Sequence, residues 1–396
     1  MSETLDSSGG WRVVGGTHLV MAVSFGSAYS FSAVFPGLSS DFNASRGEVA
    51  LVFSLSAFVF YCMGAIAGPL ADRWSTRALV LAGLIAMTVG YVGGSRAGSL
   101  TALYAWYGVG VGVGIGLSYV PALGAVQSWF HVRRSQASGI ATAGLGLGTL
   151  TLPLAVGMAV PHIGWRVCFL ALALIIAIVG WPAALFIRKR REVTTELQQT
   201  NRPSLISVWR DGNFRRYYAM LLFASFCTFI PLVHMVPAAR DMGLSIGSGS
   251  MLIALIGIGN IFGRFVLAGL GDRMGRLRLL AILTFAVAGC FVLWCFAAGF
   301  AMLATFAVLF GMSYGGCVGL YPAVAADLFG TRRIGAMLGY LYTAVGVAAL
   351  IGPPATGFIF DRTGSYRGPI IASTVVAVVA GVLVLRLQRL NRPVSA

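Results

Sequence analysis

Long apolar runs separated by short polar breaks dominate this 396-residue sequence. Hydrophobic residues make up 58% of the chain and charged residues only 10%, a balance that is far from that of a soluble domain. Because a backbone amide left unpaired in hydrocarbon is costly, a run of about 20 apolar residues predicts a membrane-spanning helix. The sequence therefore predicts an all-α membrane protein with twelve transmembrane helices, near residues 14–38, 50–71, 78–97, 100–128, 137–161, 165–187, 217–239, 248–271, 279–298, 300–328, 334–360 and 368–387.

The 28 Lys and Arg residues are distributed unevenly among the polar breaks. If both termini are cytoplasmic, 21 of the 28 fall on the cytoplasmic side. Positive charge is retained on that side during insertion, so the asymmetry predicts a multi-pass protein of the cell inner membrane with both termini cytoplasmic. This topology accounts for the net charge of +16 without nucleic acid, which we do not expect as a partner. We expect a monomer surrounded by membrane lipid.

One sequence landmark recurs about 200 residues later in the chain. The stretch GPLADRWSTR from Gly68 to Arg77 has a counterpart, GLGDRMGR, from Gly269 to Arg276. Internal repeats of this length are typical of carriers built from two parallel halves. The sequence therefore predicts two parallel six-helix bundles, and the only long charged run predicts a cytoplasmic linker between them. The predicted boundaries are 1–187 for the first bundle, 188–216 for the linker and 217–396 for the second bundle.

The repeated G-x-L-a-D-R pattern resembles the signature of the major facilitator superfamily. The stretch WFHVRRSQASGIATAG from Trp129 to Gly144, and the Gly9–Trp11 sequence, also resemble motifs of bacterial members of the monocarboxylate porter family. The resemblance implies the major facilitator fold. It also implies secondary active transport of a small organic anion, a monocarboxylate, by alternating access with proton symport. We expect no enzyme activity, cofactor or metal site, because no run holds metal-ligand spacing or a nucleophile with its base.

Two positions depart from the animal lactate carriers of that family. Gly37 stands where those carriers have a lysine, and Asn260 stands where they have an aspartate. Both departures remove titratable groups, so the mode of coupling stays open among the proton of the solute, His234 and the solvation of Arg264. The cargo also stays open: another organic anion moved by exchange, or a larger aromatic or vitamin-like solute, keeps the same fold. A sensor that binds solute without moving it is the alternative from another class.

Arg264 is the one full charge that falls deep within an apolar run, because all twelve acidic residues lie in termini, breaks or helix ends. A guanidinium offers a planar fork that binds a carboxylate through two hydrogen bonds. Asn260 lies four residues earlier and therefore shares a helical face with Arg264. We predict that Arg264 and Asn260 bind an anionic solute; the alternative is an arginine neutralised by backbone carbonyls and water within the helix packing.

Further candidate residues lie within the apolar runs. Tyrosine hydroxyls can bind a carboxylate while their rings line a cavity, although tyrosine in a span is often a packed or interfacial residue. His234 lies between Pro231 and Pro237, a helix-disrupting context in which it either serves a gate or proton step or is a satisfied core histidine. The predicted substrate-binding tyrosines are Tyr29, Tyr119, Tyr314 and Tyr321.

The repeated D-R pairs are predicted gate residues. Asp72 and Arg73 follow the second run, and Asp272 and Arg273 follow the eighth. The resemblance implies that such pairs hold the two halves together when the carrier faces outward. A carboxylate at this place can cap the positive N-terminal end of a facing helix, and that contact must break when the gate opens.

Overall fold

The protein is described by a computed structural model over residues 8–130, 133–190, 205–330 and 334–390. In these ranges the chain is helical and contains no β-strand. Turns of π-helix at Tyr104–Val111, Ile176–Gly180 and Gly263–Leu267, and a 3₁₀ segment at Ala268–Leu270, connect successive α-helices. The α-helices are α1 Ser8–Tyr29, α2 Phe31–Asp41, α3 Arg46–Arg73, α4 Thr76–Ser95, α5 Leu100–Leu103, α6 Gly112–Trp129, α7 Arg134–Ile175, α8 Trp181–Leu185, α9 Leu205–Arg210, α10 Gly212–Asp241, α11 Ile246–Phe262, α12 Gly271–Met274, α13 Arg276–Cys295, α14 Phe300–Phe329, α15 Ile334–Thr363 and α16 Arg367–Leu390.

The described helices include eleven stretches long and apolar enough to cross a membrane. One of them, Gln136–Leu185, has 50 residues. As a straight helix it would measure about 75 Å, more than twice the roughly 30 Å of a hydrocarbon core. The chain leaves the helical conformation at Gly164, where φ is +75° and glycine is the residue that adopts this angle at little cost. Ten single spans and one double span give twelve crossings, which confirms the predicted all-α twelve-helix fold.

Polar residues in the short breaks define where several helices begin. Ser45 accepts a hydrogen bond from the backbone of Glu48, whose side chain accepts one from the Ser45 backbone, so a capping box starts α3. Asp211 caps α10, and Ser245 caps α11. These caps satisfy backbone N–H groups that have no partner within the helix. The breaks therefore stop one span and start the next.

Helices α11 and α14 pack with their backbones in contact. A Cβ atom at Gly259 or Gly263 would overlap backbone atoms of α14, and a Cβ at Gly311 or Gly315 would overlap backbone atoms of α11. Small residues permit this approach, which is a common way for helices to associate where lipid supplies no hydrophobic driving force between them. The packing fixes the position of the π-helical turn that carries Arg264.

The helices before and after residues 191–204 meet mainly along three pairs: α2 with α10, α3 with α15, and α7 with α11. Ser32 of α2 donates a hydrogen bond to the Val233 carbonyl of α10 at 3.0 Å. At the start of α3, the backbone of Gly47 contacts Gly357 of α15. We call α1–α8 the N-terminal helices and α9–α16 the C-terminal helices. The predicted boundaries of bundles and linker stay predictions, and residues 191–204 of the linker lie outside the described residues.

Candidate functional site

Arg264 lies on the π-helical turn Gly263–Leu267, directly after α11. A π-turn inserts one extra residue into a helix and is frequent at functional sites. Arg264 Nε donates a hydrogen bond to Asn260 Oδ1 at 2.8 Å. The two terminal nitrogens of the guanidinium make no hydrogen bond or ion pair to any described residue. One edge of the arginine is thus held by Asn260, and the edge that would grip a carboxylate is free of protein partners in the described chain.

A cavity of about 320 Å³ lies between the two sets of helices and contains Arg264 in its wall. Among the lining residues that the structure describes, Arg264 is the single charged side chain, and none is Asp, Glu or His. A volume near 300 Å³ is typical of sites for small organic molecules. The wall is formed by Phe25, Tyr29, Phe60, Tyr61, Gly64, Tyr119, Val120, Leu123, Gly124, Gln127, Leu145, Ser225, Thr228, Phe229, Arg264, Tyr314, Val318, Tyr321, Pro322, Leu338, Gly339, Tyr342 and Val345.

The structure brings the four sequence-predicted tyrosines to this one cavity. Tyr29, Tyr119, Tyr314 and Tyr321 all line it. Asn260 is only 3% exposed and is absent from the lining, so its side chain positions Arg264 rather than facing the cavity. The roles of the four tyrosines and Asn260 in solute binding stay predictions.

Two cavity tyrosines were missed by the sequence analysis. Tyr61 of α3 and Tyr342 of α15 also line the cavity, and their rings contact each other with centroids 6.2 Å apart. Tyr29, Tyr119, Tyr314 and Tyr342 line the same cavity as Arg264. Tyrosine is enriched at membrane interfaces, so a tyrosine near the middle of an apolar run is unusual. That position is the sequence signal that could have identified both residues.

A cluster of charged and aromatic residues joins the two sets of helices at one end of the molecule, which we call the Arg46 end. Arg46, at the start of α3, donates two hydrogen bonds to Asp241 at the end of α10, at 2.6 and 2.7 Å. Its guanidinium carbon also lies 3.8 Å from the ring centroid of Phe360. Asp361 accepts hydrogen bonds from the backbone N–H groups of Arg46 and Gly47, both at 3.0 Å. This carboxylate thereby caps α3, a helix of the other set.

His234 extends this cluster into the helix packing and does not line the cavity. Its side chain is fully buried, and Nε2 lies 2.8 Å from the Pro353 carbonyl oxygen. A carbonyl only accepts, so Nε2 carries the hydrogen. Nδ1 lies 3.1 Å from the Tyr366 hydroxyl, which also accepts from Arg46 at 2.8 Å. In the neutral ring assigned by this network, Tyr366 donates to Nδ1, and burial raises the pKa of its hydroxyl.

The predicted gate pairs lie at the opposite end, which we call the linker end. The backbone at Asp72 and Arg73 is helical, but their side chains lie outside the described residues. Asp272 pairs with Arg276 at 2.9 Å, and Arg276 also pairs with Asp327 of α14 at 2.7 Å. Arg273 is exposed. The described contacts of Asp272 lie among the C-terminal helices, so its role in a gate stays a prediction.

Comparison with known proteins gives the family. The family model of the Major Facilitator Superfamily matches residues 17–336 and 239–396. This chain belongs to the Major Facilitator Superfamily. Monocarboxylate transporter 4 of Rattus norvegicus is 27% identical over 374 residues, which cover 91% of this chain and 79% of the relative. Monocarboxylate transporter 13 of Bos taurus is 28% identical over 389 residues, which cover 97% and 90%.

Solved structures support the same fold. A bacterial homologue of the human lysosomal transporter Spinster, in an inward-facing and occupied conformation, matches with a TM-score of 0.78 at 16% identity, covering 97% of this chain and 98% of that one. A D-xylose–proton symporter matches with a TM-score of 0.78 at 13% identity, covering 95% and 97%. The chain is therefore a multi-span membrane transporter of the major facilitator superfamily that resembles the monocarboxylate transporters, and it is not an enzyme.

Proposed function

We propose that this major facilitator protein is a secondary active transporter of a monocarboxylate, with Arg264 as the group that binds the carboxylate. The observation that carries the proposal is the Arg264–Asn260 hydrogen bond of 2.8 Å in the wall of the central cavity. It fixes one edge of the guanidinium and leaves the terminal nitrogens to form a bidentate pair with an anion. The relatives named monocarboxylate transporters support this solute class.

The charge of the cavity favours a solute with one negative charge. An arginine deep in a membrane span costs about 2.5 to 3.5 kcal/mol on insertion scales, and no carboxylate among the described residues lies within ion-pair distance to offset that cost. A bound monocarboxylate would neutralise Arg264. A second carboxylate on the solute would meet no second cation in the described lining and would stay buried without a partner.

Alternating access is supported by the difference between the two ends of the cavity. At the Arg46 end, the Arg46–Asp241 ion pair and a hydrogen bond from the Gly47 backbone to Asp361 link the two sets of helices. Toward the linker end, the cavity reaches Gln127 and Pro322, two turns or less from the last residues of α6 and α14. The charge asymmetry places the linker end in the cytoplasm. We therefore assign the described conformation to the inward-facing state of an inner-membrane carrier with cytoplasmic termini.

Proton symport is the coupling mode we propose. No aspartate, glutamate or histidine is among the described residues of the cavity lining. The proton therefore travels with the solute or through His234. His234 is hydrogen-bonded to residues at the Arg46 end and does not line the cavity. Exchange of one anion for another is the alternative, and it requires no protein group to change protonation.

Uptake into proteoliposomes tests the proposal. A panel of radiolabelled monocarboxylates is offered with and without an imposed inward proton gradient, to the native protein, to Arg264→Gln and to Arg278→Gln. Arg278 is an exposed arginine at the start of α13 and serves as the matched control. We expect gradient-stimulated uptake that Arg264→Gln abolishes and Arg278→Gln preserves.

Other outcomes of the same assay separate the alternatives. Uptake that depends on an internal anion and not on the gradient identifies exchange. Binding of the acid without any flux identifies a sensor. If the folded native protein neither binds nor transports any member of the panel, the monocarboxylate assignment is wrong.

A further inference from the structure

Four aromatic side chains form a continuous surface on one side of the cavity, which we call the ring wall: Phe25, Phe60, Tyr61 and Tyr119. All four line the cavity. Phe25 and Phe60 lie 5.7 Å apart between ring centroids with an interplanar angle of 82°, and Phe60 and Tyr119 lie 5.7 Å apart at 90°. Phe60 and Tyr61 lie 4.3 Å apart. These distances and angles are those of edge-to-face and tilted aromatic packing, which accepts a further ring readily.

The ring wall and the cation belong to different sets of helices. Phe25, Phe60 and Tyr119 come from α1, α3 and α6, whereas Arg264 follows α11. Tyr119 connects the two features, because its ring packs on Phe25 with centroids 5.5 Å apart and it lines the same cavity as Arg264. A solute that contacts both features therefore bridges the N-terminal and C-terminal helices, as a solute that governs their relative motion must do.

The size of the cavity is a second observation. At about 30 Å³ for each water, its volume of about 320 Å³ corresponds to roughly ten water molecules. A two- or three-carbon acid held by Arg264 would leave the ring wall in contact with most of that water. An acid that carries a ring would displace the water and replace it with aromatic contacts, which is the favourable arrangement for apolar surface.

We propose that the solute is an aromatic monocarboxylate, with its carboxylate on Arg264 and its ring against Phe25, Phe60 and Tyr119. The inference rests on the proposed function and deepens it, since the same cavity and the same arginine bind the acid group. It makes Phe60 and Tyr61 residues that determine specificity, because both belong to the ring wall and neither forms a hydrogen bond with Arg264. It predicts that affinity depends on the ring itself and not merely on apolar bulk.

Calorimetric titration of the purified full-length protein in detergent tests this inference without the leak of weak acids across liposomes. The probes are benzoate, cyclohexanecarboxylate and acetate, which compare an aromatic ring, a saturated ring of similar size and no ring. The variants are Phe60→Leu and Tyr61→Leu, which keep apolar volume but remove the ring, with Arg264→Gln for the acid group. Phe296→Leu is the control, because Phe296 is 72% exposed and outside the cavity lining. Thermal unfolding of each variant verifies that it is folded.

We expect benzoate to bind more tightly than cyclohexanecarboxylate and much more tightly than acetate. Each ring-wall variant should weaken benzoate roughly two- to tenfold and leave acetate unchanged, while Arg264→Gln abolishes binding of all three acids. Equal affinities for benzoate and cyclohexanecarboxylate, or equal weakening of benzoate and acetate by both ring-wall variants, would overturn the aromatic subsite and leave the monocarboxylate function intact. No binding of any acid by the folded native protein overturns both.

Discussion

Arg46 and Asp241 form a bidentate ion pair that joins the first residue of α3 to the last residue of α10, with N–O distances of 2.6 and 2.7 Å. The pair crosses from the N-terminal to the C-terminal helices at the end of the molecule that the proposed topology places on the side opposite the cytoplasm. Asp361 adds a cap on the α3 backbone from the same side. In the proposed alternating-access cycle, an outward-facing state requires that these contacts separate, so their strength sets part of the balance between the two conformations.

Asp241→Asn should shift the protein toward the outward-facing state. The side chains of Arg46 and Asp241 are 22% and 37% exposed, so solvent screens part of the attraction. With that discount we expect a loss of roughly 1 kcal/mol, which changes the population ratio about fivefold. The distance between spin labels on the first turn of α3 and the last turn of α15, both at the Arg46 end, measures the shift.

Asp41→Asn is the matched control for the Asp241 variant. Asp41 pairs with Arg166 at the same end of the molecule, and both residues belong to the N-terminal helices. Breaking this pair leaves the link between the two sets of helices in place. An equal shift in both variants would show that the Arg46–Asp241 pair has no special part in closing this end.

Tyr366→Phe should remove the hydrogen bonds that tie His234 to Arg46. The buried Nδ1 of His234 would lose its donor, a loss that costs about 1–3 kcal/mol. Burial raises the pKa of the Tyr366 hydroxyl above its usual value, which means that the folded state favours the protonated phenol. The stability it contributes is therefore fully present below about pH 10 and is lost as the pH rises further.

Thermal unfolding in detergent, measured from neutral to strongly alkaline pH, tests this account of Tyr366. The native protein should lose stability above about pH 10, and Tyr366→Phe should begin less stable and show a weaker alkaline decline. Tyr104→Phe is the control, because the Tyr104 hydroxyl donates to the Glu48 carbonyl within the N-terminal helices. An alkaline decline of the same size in native protein and Tyr366→Phe would assign the titration to another group.

Asn260→Asp should make transport more dependent on acid pH. The Asn260 side chain accepts a hydrogen bond from Arg264 Nε at 2.8 Å, so an aspartate there would form an ion pair with the same arginine. The solute would compete with that carboxylate until a proton neutralises it. We expect weaker solute affinity at neutral pH and recovery as the pH falls, measured as the initial rate of uptake.

Asn260→Ala separates this effect from a loss of positioning. It removes the hydrogen bond to Arg264 without adding a charge, so affinity should fall by roughly tenfold at every pH. Matching pH profiles for Asn260→Asp and Asn260→Ala would contradict the competition argument. A profile that differs only in the aspartate variant would support it.

The sequence alone predicted the twelve spans and several residues of the cavity, because lipid imposes strong rules on length and charge. Arg264 was found as the one charge within an apolar run, and Tyr29, Tyr119, Tyr314 and Tyr321 were chosen for their chemistry. All five line the same cavity. Sequence analysis could identify these residues because a polar group within a span costs free energy and is therefore uncommon.

The contacts at the Arg46 end were not predicted, for a physical reason. Arg46 meets Asp241 and Asp361 across 195 and 315 positions of sequence, and each residue lies at a helix end where a solvated charge is ordinary. Nothing local distinguishes a paired loop charge from a free one. Tyr61 and Tyr342 were missed because a tyrosine within a span is usually read as packing, although both lie well away from the polar breaks.

The contact of α11 with α14 gives a last prediction, in which a glycine that does not line the cavity alters solute binding. A Cβ atom at Gly315 would overlap the Asn260 carbonyl oxygen, so Gly315→Ala must push the two helices apart and displace the turn that carries Arg264. Strain of about 1–3 kcal/mol is expected, with uptake lowered roughly tenfold although the protein still inserts. Gly289→Ala on α13 is the matched control, because a Cβ there meets open space. If Gly315→Ala retains native affinity while folded, the position of Arg264 does not depend on this helix contact.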